Sequence, residues 1–127
     1  MEHRVSYKIY YEDTDCLGMV YHANYLKYFE RARTELVSLG GRDVREWNDA
    51  GFYIIVYSVE MVFRKAGLLG DMIDIVTHYS PKTPYRALFR QRAERAGEVL
   101  VEAEIELVCL DHERRLQPFP AILDPAA

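Results

Sequence analysis

Tyr11-Glu12-Asp13-Thr14-Asp15-Cys16-Leu17-Gly18-Met19-Val20-Tyr21-His22-Ala23-Asn24-Tyr25 decides the fold, because the hydrophobic period changes across it. Before it, Arg4 to Asp13 alternates. Val5, Tyr7, Ile9 and Tyr11 fall on one side, and Arg4, Ser6, Lys8, Tyr10 and Glu12 on the other. Period two predicts a half-buried strand. After it, from Ala23 to Leu39, Tyr25, Phe29, Ala32, Leu36 and Leu39 recur at three- and four-residue steps, with Leu26 widening the stripe. That spacing predicts one long amphipathic helix, and Gly40-Gly41 ends it. Arg33 borders the stripe and reads as a snorkelling surface arginine, while Arg31 and Glu35 are spaced to pair. Between the two periods, Thr14 to Tyr21 is a loop in which Gly18 permits a turn or a close backbone approach.

The loop also carries the chemistry. Its end meets the helix N-terminus, where unbonded backbone N–H groups and the helix dipole favour developing negative charge. A carboxylate beside such a donor suits hydrolysis: Asp15 would activate water or attack, and the amide at His22 would hold the carbonyl oxygen. Asp15 also suits a helix cap or Asx turn, and that bland role stands beside the catalytic one. Asp13 is expected to hold the loop, and Glu12 to be solvated. An imidazolium at a helix N-terminus is unfavourable, so the His22 ring is expected to be neutral and its amide to matter more than its ring. Glu12, Asp13, Asp15 and His22 are metal-compatible types, but no His or Cys pair supports a metal site, and none is expected. Cys16 lacks a base to activate it as a nucleophile and is expected to line the pocket.

Downstream, Arg42 to Ala50 reads as a short helical or irregular turn with Trp47 capping the core. Tyr53 to Phe63 is long, β-branched and almost continuously apolar, which predicts a strand covered on both faces. Gly67-Leu68-Leu69-Gly70-Asp71 turns the chain. Further strands follow over Met72 to Ser80, Tyr85 to Ala96 and Val99 to Asp111, with a hairpin at Ala96-Gly97-Glu98. In the last of these, Val101, Ala103, Ile105, Leu107 and Cys109 alternate with Glu102, Glu104, Glu106 and Val108, giving one buried and one mostly acidic face. The tail after Arg115 holds three prolines and is expected to be extended or loose. The plan is α+β: an antiparallel five-stranded sheet around one long helix, in a single domain over residues 1–127. Apolar surface left over, notably on the second strand, points to a dimer or tetramer.

The chain has 127 residues, half of them hydrophobic, enough for one core. Its net charge of -4 argues against a nucleic-acid binder working by bulk electrostatics. No apolar run is long enough to span a bilayer, and Met1-Glu2-His3-Arg4 leads into the alternation without a signal-peptide core, so a cytoplasmic location is expected. Cys16 and Cys109 are then expected as free thiols.

Asp13-Thr14-Asp15, Gly18, Val20-Tyr21-His22-Ala23-Asn24-Tyr25 and Tyr28-Phe29-Glu30-Arg31-Ala32-Arg33-Thr34-Glu35 together resemble the hotdog-fold acyl-CoA thioesterases. The resemblance is to the 4-hydroxybenzoyl-CoA thioesterase branch, and most closely to the YbgC-type enzymes associated with the Tol-Pal system. It implies a helix wrapped by the sheet, subunits paired through a continuous sheet, and active sites at the subunit interface. It implies Asp15 as the catalytic carboxylate and the His22 backbone N–H as the donor that polarises the thioester carbonyl, with Gly18 and Tyr21 at the substrate. The chain departs from the family at Cys16, Leu17 and Met19, where small residues or Val are usual, and at Ala66 and Leu68, where Pro and Arg are common. The first group bears on the acyl pocket's shape.

The expected activity is hydrolysis of acyl-CoA to a free acid and CoA, with no cofactor, since CoA is part of the substrate. Arg86 and Arg90, together with Arg64, Lys65 and Lys82, are candidates for the CoA phosphates. Three alternatives stand beside it: an acyl-carrier-protein thioesterase, a hotdog dehydratase, and a non-catalytic thioester-binding module. A dehydratase would pair its His with an acid on the helix, whereas Asp15 precedes the helix. A homodimer or homotetramer is expected, with tetramer packing open.

Overall fold

The alternating N-terminal run forms strand β1, Glu2–Lys8, and ends earlier than its period suggests. The computed structural model describes residues 2–123. Ile9 is buried and leaves the ladder: its N–H donates to Asp71 O, and its carbonyl accepts from Gly70 N. The chain then makes a single 3-10 turn over Tyr11–Asp13. Tyr11, expected on the buried side of a strand, is 80% exposed on that turn.

A second 3-10 turn, His22–Asn24, runs into helix α1, Tyr25–Ser38. Its buried face is Tyr25, Tyr28, Phe29, Ala32, Arg33, Leu36 and Val37. Leu26 and Leu39 are exposed, Leu39 because it caps the helix at Gly40-Gly41. Arg33 is the larger surprise. Expected at the surface, it is 8% exposed, and its guanidinium enters the core. A short helix α2, Val44–Asp49, follows, opened by a capping box between Asp43 and Glu46. Trp47 packs against the edge of the core from it.

Four long strands complete the sheet: β2 Tyr53–Phe63, β3 Met72–Thr83, β4 Arg86–Arg95 and β5 Glu98–Leu110. The order is β1-β3-β4-β5-β2, antiparallel throughout. Rows of side chains run across the sheet beneath α1, one through all five strands of that order and one from β3 to β2. Val5, Ile75, Ala93, Val101 and Phe63 form one, and Tyr79, Phe89, Ile105 and Val59 another. Ile75, Phe89, Val101 and Ile105 of these rows are fully buried, and each such side chain stabilises the fold by about 1.5–3 kcal/mol. The opposite face is charged, with Arg4 bridging Asp74 and Glu94, Arg92 bridging Glu2 and Glu94, and Arg90 meeting Glu104.

Two expectations fail here for identifiable reasons. β2 is not covered on both faces: Ile55, Val56, Tyr57, Val59, Val62 and Phe63 are 41–54% exposed. The topology puts β2 at the sheet margin, paired only with β5, while α1 packs chiefly on β3. Nor is the tail loose. A sixth strand β6, Leu116–Gln117, pairs with the end of β5. Gln117 Nε2 donates to the carbonyls of Gly51 and Leu110, Phe119 N donates to Pro84 O, and Ile122 is buried against Gly40. Pro125 of that tail lies outside the described residues. Among the described residues no helix is long and apolar enough to cross a membrane.

Candidate active site

The loop between the first turn and α1 is closed by Asp15 itself. Oδ1 of Asp15 accepts from Leu17 N at 2.8 Å and Met19 N at 3.3 Å, and Asp15 N donates to Met19 O at 2.8 Å. Gly18 sits at φ 75°, a left-handed conformation that costs a residue with Cβ about 1–2 kcal/mol. The Asx-turn role is therefore real, but it occupies one carboxylate oxygen. Oδ2 has no hydrogen-bond partner among the described residues.

Asp13 does the anchoring. Its Oδ2 accepts from Tyr10 N at 3.1 Å and from the Tyr28 hydroxyl at 2.6 Å. Its carbonyl accepts from Tyr21 N and Asn24 Nδ2, both at 3.0 Å. Burial, and then the Asp13 carboxylate, push the Tyr28 hydroxyl well above the usual tyrosine pKa. The loop is thus tied to the first turns of α1 from two sides.

At the helix entrance the Val20 and Tyr21 amides are used by Gly67 O and Asp13 O, and Asn24 N donates to Tyr21 O. The His22 N–H has no acceptor among the described residues. The His22 ring lies between Tyr21, 4.5 Å away, and Phe63, 6.3 Å away in a T-shaped contact. Asp15 and His22 line one open cleft of about 350 Å³ with Met19, Tyr25, Phe63 and Arg64. Lys65 also lines it. Asp15, with one carboxylate oxygen unpartnered among the described residues, and His22, with its main-chain N–H likewise unaccepted, therefore line the same cleft at the start of α1.

The thioesterase-like superfamily model matches residues 10–126. The chain belongs to that superfamily. Its relatives include the acyl-CoA thioesterase YbgC of Haemophilus influenzae, 35% identical over 82% of this chain and 77% of the relative. They also include the acyl-CoA thioester hydrolase YbgC of Escherichia coli, 33% identical over 82% of this chain and 78% of that protein. Among solved structures, a probable thioesterase from Bartonella henselae superposes with a TM-score of 0.89 at 26% identity, covering 94% of this chain and 100% of the other. Its hotdog architecture is the one described above.

Within this thioesterase-like chain, the cleft gathers Asp15 and His22, while Gly18 shapes the loop and Tyr21, half exposed, packs on the His22 ring. The structure does not bring Arg86 or Arg90 there. Arg86 lies 4.3 Å over the Tyr57 ring, and Arg90 sits on the charged outer face beside Glu104. The basic residues at the cleft are Arg64 and Lys65, each in an exposed ion pair, with Glu102 and Glu98 respectively. Cys16 and Cys109 are free thiols, one exposed and one buried.

Sequence reasoning missed the strap behind the loop. Arg95 donates to Asp71 Oδ2 at 2.7 Å and to Ala66 O at 3.2 Å, and Asp71 in turn accepts from Leu68 N at 2.9 Å. That turn holds the loop through Gly67 O to Val20 N and through Leu69 N to Gly18 O. Tyr25 completes the join by accepting from Gly67 N at 3.2 Å, with its hydroxyl 2.8 Å from where a Cβ on residue 67 would stand. The glycine at 67 was the available signal, since so close an approach excludes a side chain.

Proposed function

We propose that this chain hydrolyses acyl-CoA thioesters to a free acid and CoA, with Asp15 as the reacting carboxylate and the His22 backbone N–H as the donor to the thioester carbonyl. The observation that carries this is the cleft lined by both Asp15 and His22, whose Oδ2 and main-chain N–H have no partner among the described residues. An amide donor at the carbonyl oxygen, once bound substrate displaces water from the cleft, stabilises the charge that grows there in the transition state. The names of the YbgC relatives support the substrate class.

Two routes use the same residues. In one, Asp15 takes a proton from water as the water oxygen bonds to the carbonyl carbon. The tetrahedral intermediate then breaks its C–S bond, and the departing thiolate takes that proton. In the other, a carboxylate oxygen of Asp15 bonds to the carbon, the thiolate leaves, and water cleaves the resulting anhydride. Arg64 and Lys65 suit the CoA phosphates, because exposed ion pairs such as theirs hold by less than about 1 kcal/mol and can open toward a phosphate.

Pairing of two copies through the free edge of β2 completes the reading. That edge is eleven residues long and flanked by exposed apolar side chains. An unpaired edge of this kind is a template for strand addition.

The test is direct. Purified protein is given CoA thioesters of short, long and aromatic acids, with carrier-protein thioesters in parallel, and release of thiol is followed. Hydrolysis of one or more CoA thioesters is expected. Turnover of carrier-protein thioesters alone would move the substrate, and saturable binding without turnover would make the chain a binding module. A single turnover in oxygen-18 water separates the routes: label recovered in Asp15 marks the anhydride.

A further inference from the structure

Apolar side chains continue past the cleft on its Asp15 side. Met19 lines the cleft and forms an isolated antiparallel bridge with Leu68. Bridge partners carry their side chains on the same face, so Leu68 extends the wall that Met19 begins. Leu68 is 45% exposed, and Leu17 and Leu69 are exposed as well. Backbone bonds hold both beside the bridge: Leu17 N donates to Asp15 Oδ1, and Leu69 N donates to Gly18 O.

The strip has a direction. After Arg64 and Lys65 the backbone passes Ala66 and Gly67 to reach Leu68, while Met19 and Val20 run beside it the other way, with Val20 N donating to Gly67 O at 2.9 Å. His22 lies toward the cation end, where its ring meets Phe63. Asp15 lies toward the leucine end, where its N–H donates to Met19 O. A thioester held between His22 and Asp15 therefore has cations on one side and leucines on the other. CoA carries the phosphates and belongs with Arg64 and Lys65, which leaves the acyl group for Met19 and Leu68. Acid side chains border the leucines, because Asp15 accepts from Leu17 N and Asp71 accepts from Leu68 N. Those charges disfavour an anionic lipid surface as the occupant.

We propose that the strip from Met19 over Leu68 binds the acyl group on an open surface, so that the protein favours long straight-chain acyl-CoAs over short ones. This rests on the thioesterase reading above and names its acyl class. Met19 supplies an unbranched, adaptable side chain beside the reacting carbonyl, and Leu68 supplies the next contact outward. Neither side chain carries a hydrogen-bond donor, so a polar acyl end gains nothing there. Leu68 faces solvent, and an open strip puts no wall at the far end of the acyl group. Affinity then rises with length instead of peaking at one fixed length. A methylene withdrawn fully from water tightens binding about fourfold, and one half covered on an open strip about twofold.

The test measures kcat/KM for straight-chain acyl-CoAs of four to twelve carbons in wild type, Leu68→Ser and Leu68→Met. Binding of the matching non-hydrolysable S-alkyl-CoA thioethers is measured on the same proteins. In wild type, kcat/KM and thioether affinity are expected to rise about tenfold or more from four carbons to twelve. Leu68→Ser should cut that ratio by about threefold or more, and Leu68→Met should keep it. A general loss of activity or stability moves all lengths together, so the ratio separates contact with the acyl group from a structural role. A flat or falling dependence on length in wild type would overturn the proposal, as would a ratio that Leu68→Ser leaves unchanged. Sedimentation with phosphatidylglycerol vesicles tests the other occupant. No binding is expected, and binding that Leu68→Ser abolishes would assign the leucines to a lipid surface and overturn the proposal. Cleavage without length dependence removes the strip and leaves the thioesterase reading, whereas no cleavage of any thioester and no binding of any thioether removes both.

Discussion

The Tyr28 hydroxyl donates a 2.6 Å hydrogen bond to Oδ2 of Asp13, joining the first full turn of α1 to the loop that carries Asp15. Tyr28 is 2% exposed, so the bond is shielded from solvent at the tyrosine end. Hydrogen bonds to charged groups contribute about 1.5–3 kcal/mol. Tyr28→Phe should lower the stability measured by urea unfolding by that amount. It should also lower kcat more than it raises KM, because Asp13 fixes the Tyr21 and Asn24 contacts beside the His22 amide. An unchanged urea midpoint would show that the loop is held without this bond.

The Arg95–Asp71 strap makes stability depend on pH. Arg95 beside Asp71 holds its carboxyl below the usual carboxylate range. A carboxyl whose folded pKa is depressed contributes stability that is fully present above its unfolded value, about 3.9, and lost as pH falls through the folded value. Asp71→Asn should therefore be less stable than wild type at pH 7, with the gap narrowing toward pH 3. Urea midpoints at both pH values check this. A gap of the same size at pH 3 would detach Asp71 from the effect.

At Gly18 the cost is conformational and not steric. A Cβ there meets nothing within 4 Å, but φ is 75°. Gly18→Ala should cost about 1–2 kcal/mol in urea unfolding and slow turnover by displacing the Asp15 turn. Gly67→Ala is the contrasting case. Its Cβ would stand 2.8 Å from the Tyr25 hydroxyl and 3.2 Å from Val20 Cγ2, so overpacking of about 1–3 kcal/mol is expected. Equal stability of wild type and Gly67→Ala would mean that the turn gives way easily.

β2 offers the test of assembly. Val59 lies on the inner face of that edge strand, opposite Ile105, and is 42% exposed. Val59→Lys places a charge where a second copy would pack, a common device for blocking edge pairing. Sedimentation should find wild type paired and the variant monomeric, with turnover falling in parallel. A wild type that sediments as a monomer with full turnover would confine the site to one chain.

Much of the fold was legible because it is local. The switch from period two to period 3.6 marks strand, loop and helix, and the alternation from Val101 to Cys109 gives the inner and outer faces of β5. The candidate site was readable as a motif for a related reason: Asp15 and Gly18 share one tight turn, and His22 follows a few residues later at the entrance to the helix. What did not show was non-local. Arg33 and Gln91 are 58 residues apart, and their meeting depends on which strand runs beneath the helix. The exposure of β2 depends on its place at the sheet margin, which strand composition does not encode. The tail is held by Gln117, Phe119 and Ile122 against elements distant in sequence, and a proline count points the other way.

The most direct measurement is kcat/KM of Asp15→Asn on the best CoA thioester found for wild type. Asparagine keeps an oxygen for Leu17 N and so preserves the turn, while removing the carboxylate that would activate water or attack. Urea unfolding should be close to wild type, and kcat/KM should fall by about 10²–10⁴. Hydrolysis by Asp15→Asn within a fewfold of wild type would contradict the role assigned to Asp15.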